Sequence, residues 1–91
     1  MGRFLHVYIK PNKESSKEQI ETKLNLAIDW YRYANDLYII YTTSDADKWQ
    51  ERLLQFVEDD GSLFLCQFEI NERNGWMSQD FWDWIKKPRS K

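Results

Sequence analysis

Hydrophobic and polar positions alternate from Arg3 to Ile9, with Phe4, His6 and Tyr8 on one side and Leu5, Val7 and Ile9 on the other. This period of two predicts a strand with one aliphatic face, ended by Pro11-Asn12. Ser15 and Ser16, each followed three residues later by Glu18 or Gln19, form two overlapping capping boxes. Ile20, Leu24, Ala27 and Ile28 then share a helical stripe, and a first helix is expected over residues 16–27. Two segments rich in aromatic and β-branched residues, 29–33 and 37–43, flank the short polar turn Ala34-Asn35-Asp36 and predict a hairpin. Ser44 is expected to start a second helix, with Asp45 and Asp47 in its first turn and Ala46, Trp49, Leu53, Phe56 and Val57 as its buried stripe. Asp60-Gly61 stops it, residues 63–70 form a fourth strand, and a last short helix runs from residue 78 to about residue 87.

The order strand, helix, strand, strand, helix, strand places two right-handed crossovers in one small domain. It predicts an α+β, ferredoxin-like βαββαβ fold: a four-stranded antiparallel sheet with two helices on one face, plus the short C-terminal helix. The domain spans residues 1–87, with 88–91 as a disordered basic tail. The sheet's second face, expected to carry aromatic residues such as Tyr8 and Trp30, needs a cover. Three of the five tryptophans fall within residues 74–85, and each buries on the order of 200 Å² when packed. Trp76, Met77, Phe81, Trp82, Trp84 and Ile85 are therefore expected to cover the sheet or to receive a partner. Docking onto the sheet accounts for them better than a membrane-surface helix, for which about ten residues is short.

Composition narrows the function. The chain is 42% apolar, 31% charged and 16% aromatic over 91 residues, which describes one folded domain that gains from dimerisation. It has no apolar run near the roughly 20 residues of a membrane span. A single cysteine, Cys66, and a start unlike a secretory leader suggest the reducing cytoplasm. Net charge is −2, but Lys86, Lys87, Arg89 and Lys91 leave residues 1–85 with nine bases against fifteen acids. An acidic body opposes nucleic acid, so any such contact is local to the tail or to basic residues gathered by an oligomer.

Candidate chemistry is sparse. His6 lies mid-strand with no evident partner, and Cys66 among Leu63, Phe64, Leu65 and Phe68 reads as packing. Glu58-Asp59-Asp60 lacks the spaced oxygen ligands of a calcium loop and reads as a solvated helix end. No catalytic set, metal site or cofactor motif is present to assign. Tyr31, Arg32, Tyr33, Tyr38 and Tyr41 form a possible stacking surface for bases, against which packing under the helices or a subunit contact is the stronger reading.

Phe4-Leu5-His6-Val7-Tyr8, the hairpin Trp30-Tyr31-Arg32-Tyr33 to Leu37-Tyr38-Ile39-Ile40-Tyr41-Thr42, Asp59-Asp60 before Leu63-Phe64-Leu65, and Gly75-Trp76 with Trp84-Ile85-Lys86 resemble the small bacterial SinR-family proteins related to the CRISPR spacer-acquisition adaptor nuclease. The resemblance implies a ferredoxin-like homodimer in a phage-defence or mobile-element setting. The nuclease relatives carry a metal-binding aspartate after the tyrosine of the first strand, where this chain has Ile9, which cannot ligate magnesium. A non-catalytic homodimeric interaction module, with a protein or nucleic-acid partner, is the expectation. The alternative is a divergent metal-dependent nuclease using Asp29, Asp36 or Asp45, or a nucleic-acid-binding protein.

Overall fold

The computed structural model describes residues 2–71 and 73–89. Its elements are β1 (Arg3–Lys10), α1 (Lys17–Leu24), β2 (Asp29–Ala34), β3 (Leu37–Thr42), α2 (Ala46–Leu53) with a 3₁₀ turn at Leu54–Phe56, β4 (Ser62–Phe68) and α3 (Gln79–Lys86). The strands form one antiparallel sheet in the order β2-β3-β1-β4. No helix among the described residues is long and apolar enough to cross a membrane.

Pleating divides the side chains. Leu5, Val7 and Ile9 of β1 and Tyr38 and Ile40 of β3 point to α1 and α2, where they meet Ile20, Leu24, Trp49 and Leu53 in the main core. The Trp49 indole N–H, otherwise orphaned in that core, donates to Thr42 Oγ1 at 3.0 Å. Gly61 lets the chain pass close under β1: a Cβ there would lie 2.6 Å from the Lys10 carbonyl oxygen and from Val57 Cα.

Helix limits follow their caps. Ser16 and Gln19 form the reciprocal capping box of α1. The helix ends at Leu24, earlier than its stripe suggested, because Leu26 and Ala27 close tight i to i−3 turns and the Ile28 N–H is claimed by the Tyr41 carbonyl at 2.9 Å. Ile28 is consequently exposed. Asp45, not Ser44, caps α2, its side chain accepting from the Lys48 N–H. β4 ends at Phe68 rather than at residue 70.

The second face is covered by α3. Phe81 and Ile85 are buried there against Ile39, with Phe4, Tyr31, Tyr33, Phe68 and Trp84 around them. Phe81 meets Tyr31 and Tyr33 edge-on at 6.0 and 5.6 Å. Trp30 faces the other way: it packs on the main core, meets Tyr38 edge-on, and donates its indole N–H to Asn25. The register explains this, since Trp30 pairs with core-facing Ile40 whereas Tyr31 pairs with Ile39.

Arg89 fastens the helix. Its side chain is only 8% exposed and its guanidinium lies 4.3 Å from the Trp84 ring centroid, 5.3 Å from that of Phe4 and 5.4 Å from that of Tyr41. It also donates to the Trp84 and Lys87 carbonyls at 2.8 Å each. These bonds satisfy carbonyls that a helix end leaves open. Of the basic tail expected to fray over residues 88–91, Arg89 is thus in contact with the sheet, while Ser90 and Lys91 lie outside the described residues.

Arg89→Ala removes a cation from three rings together with two charge-assisted hydrogen bonds and lowers stability by about 2 kcal/mol. Arg89→Lys keeps the charge but not the planar fork and recovers less than half of that loss. Urea unfolding followed by tryptophan fluorescence measures both, and equal midpoints for wild type and Arg89→Ala contradict the fastening role.

Candidate interaction cleft

The strands present Phe4, His6 and Tyr8 of β1, Phe64, Cys66 and Phe68 of β4, Ile39 of β3 and Tyr31 and Tyr33 of β2 to the second face, as their cross-strand registers require. α3 lies over the β2 side of this face. Toward β4 a cleft of about 560 Å³ remains. The strands line it with His6, Ile39, Phe64, Cys66 and Phe68, and Tyr33, Phe81, Trp82 and the segment from Asn74 to Met77 complete the lining. None of the twelve lining residues is an acid, a lysine or an arginine, although 31% of the chain is charged. The lining carries apolar surface in water: Trp76 is 98% exposed and Phe64 59%, and Met77 is exposed as well.

One polar pair sits in this apolar setting. His6 Nε2 and the Tyr33 hydroxyl are 2.6 Å apart, linking β1 to β2 across β3. Burial lowers the His6 pKa and raises that of Tyr33, so both stay neutral near pH 7 and one proton lies between them. His6 thus has the partner that its sequence neighbours did not reveal. The 27 residues separating the two rings put the contact beyond any local pattern. Cys66 is a free, exposed thiol in the cleft lining, directly opposite His6 in the β1-β4 register, rather than a packed core residue. The clue was the alternation of Leu63 and Leu65, which pack on the main core, with Phe64 and Cys66, which cannot share that side.

The six residues expected to cover the sheet divide by position. Phe81 and Ile85 are buried on it and Trp82 and Trp84 are half-buried beside them, whereas Trp76 and Met77 are exposed in the cleft lining. The five residues of the possible stacking surface are split between faces. Tyr31, Tyr33 and Tyr41 lie on the α3 side, but Tyr38 is only 1% exposed in the main core. Burial and its hydrogen bond to Glu21 push the Tyr38 phenol up to about 12. Arg32 is on that same side and pairs with Glu21 at 3.4 Å.

The acids considered for a metal site lie apart and are each engaged. Asp29 pairs with Lys87 at 3.1 Å and Arg89 at 3.5 Å. Burial pushes its carboxyl up, but the Lys87 ammonium and the Trp30 backbone N–H outweigh that and hold it below the usual range. Asp36 pairs with Lys17 at 3.2 Å, and Asp45 caps α2. Asp60 of the acidic run accepts from the Lys13 N–H. Ile9, which on the resemblance stands in place of a metal-binding aspartate, is 1% exposed in the core. Among the described residues no three histidine, cysteine or acidic side chains are grouped as metal ligands. Compared with protein families, curated proteins and solved structures, the chain matches none.

The neutral His6-Tyr33 pair sets a pH dependence. An unfolded His6 titrates at 6.5 and the folded one below that, so between the two values the unfolded chain binds more protons. Its contribution to stability is complete above pH 6.5 and is lost as pH falls through the folded value. The wild-type melting temperature accordingly drops on acidification from about pH 7.5 to about pH 5, and His6→Gln flattens this part of the profile. An identical slope in the variant, recorded by differential scanning calorimetry, removes His6 as its cause.

Proposed function

We propose that this chain is a non-catalytic interaction module on the ferredoxin-like plan, which pairs with a second copy through the outer edge of β4 and offers its apolar cleft at the joint. The strand order β2-β3-β1-β4, with both crossover helices on one core, supports that plan. The observation that carries the pairing is the composition of the edge. β4 reads Ser-Leu-Phe-Leu-Cys-Gln-Phe, seven residues with no charge, proline or glycine, and it lies at the margin of the sheet.

Edges of this kind are ready templates for another strand, and proteins that stay monomeric blunt them with lysine, proline or a bulge. β2, at the opposite margin, has such devices: Asp29, Arg32 and a break in register between Arg32 and Ala34. A two-fold pair of antiparallel β4 strands continues the sheet without interruption and is self-complementary. It also brings each exposed Phe64, with the cleft it lines, toward the partner copy. Homodimerisation agrees with the resemblance to adaptor-nuclease relatives, and a defence or mobile-element setting belongs to the proposal on that resemblance.

Gel filtration with light scattering finds a dimer at about 10 μM and above, as expected for a specific interface of ordinary affinity. Phe64→Lys, which places a charge on the pairing edge at an exposed position, shifts the mass to that of one chain while leaving the melting temperature of the domain within a few degrees. A wild-type chain that stays single throughout this range, or a Phe64→Lys chain that remains paired, refutes the β4 interface.

A further inference from the structure

We infer that a second cleft, at the end of the sheet where β1 begins and α3 ends, binds a small phosphate-bearing compound. It measures about 700 Å³, within the range of small-molecule sites, and gathers Arg3, Arg73, Lys86, Lys87 and Arg89 around Gln67 and Asn71. Among the described residues that line it, Glu69 is the one acid. The described lining residues therefore balance at +4 in a chain whose total is −2. These cations come from the start of β1, the segment after β4 and the end of α3, so only the fold brings them together.

Part of this charge has a structural task. Lys87 and Arg89 hold Asp29, and cations near the C-terminus of α3 complement its dipole. Arg3, Arg73 and Lys86 have no carboxylate partner among the described residues. A second, independent observation concerns donors. The Nε atoms of Arg3 and Arg89 are both buried, and neither has a hydrogen-bond partner among the described residues. An unpaired buried donor on a cation is costly, and the oxygens of a phosphate are the acceptors that suit guanidinium geometry.

The charge outside the cleft selects a compact ligand. Excluding the lining, eight bases face fourteen acids, so a nucleic-acid strand leaving the cleft runs over a surface of its own sign. A free pyrophosphate or the phosphates of a nucleotide present the same chemistry without that penalty.

Isothermal titration calorimetry on the full chain tests the site with pyrophosphate, ADP and a single-stranded oligonucleotide at about 50 mM salt, where charge contacts are weakly screened. Pyrophosphate and ADP both bind saturably, more weakly as salt rises; equal affinity makes the phosphates the whole determinant, and tighter ADP adds a contact to its organic part. Arg73→Gln with Lys86→Gln, both exposed and outside the core, weakens binding about tenfold or more while the melting temperature stays unchanged. Absence of saturable binding by both compounds, undiminished binding in the double variant, or an oligonucleotide that binds more tightly than ADP overturns the inference.

Discussion

A pleated sheet has two faces, and a chain of 91 residues has few elements to cover them. The two crossover helices lie on one side, so everything on the other depends on how α3 is held. Hydrophobic contact of Phe81 and Ile85 provides the area, but area alone does not fix the end of a helix of eight residues. Arg89 does so through geometry. A planar cation lies near three rings, its fork caps helix carbonyls, and its charge meets Asp29 at the start of β2. That placement ties the C-terminal segment to the hairpin and leaves the β4 side of the sheet open.

The open side and the sheet end have opposite physical character. The cleft over β1 and β4 is apolar, its described lining free of acids, lysine and arginine, with a neutral imidazole-phenol pair as its main polar feature. At the end of the sheet, only a few residues along β1 and β4, five cations line one cleft. Phe68 lines both. A single strand end thus separates an apolar region from a cationic one.

How much of this could be read from the residues varies with range. The strands, the capping box of Ser16 and the tryptophan-rich last helix are local patterns, and the structure carries each of them. Helix α1 stops short of its stripe because the Ile28 N–H is needed by Tyr41 of β3, a demand made by the sheet and invisible to periodicity. Grouping Arg32 with Tyr31 and Tyr33 neglected the alternation itself, since neighbours in a strand face opposite sides. Trp30 shows the same limit from another direction: a period of two separates faces but does not say which one the helices take. The His6-Tyr33 bond and the union of Arg3 and Arg73 with the tail are products of topology alone, joining residues that have no neighbourhood in the chain.

The unlike margins of the sheet bear on what assembly can do. A subunit adhesive on both borders propagates into ribbons and filaments, whereas one adhesive on a single border is a chain terminator whose association closes after one step. Here the irregular register and the charges of β2 deny a foothold on the far border. On the proposed β4 pairing, growth by strand addition is therefore self-limiting, and the aggregation hazard of an uncharged seven-residue strand is discharged by the first encounter.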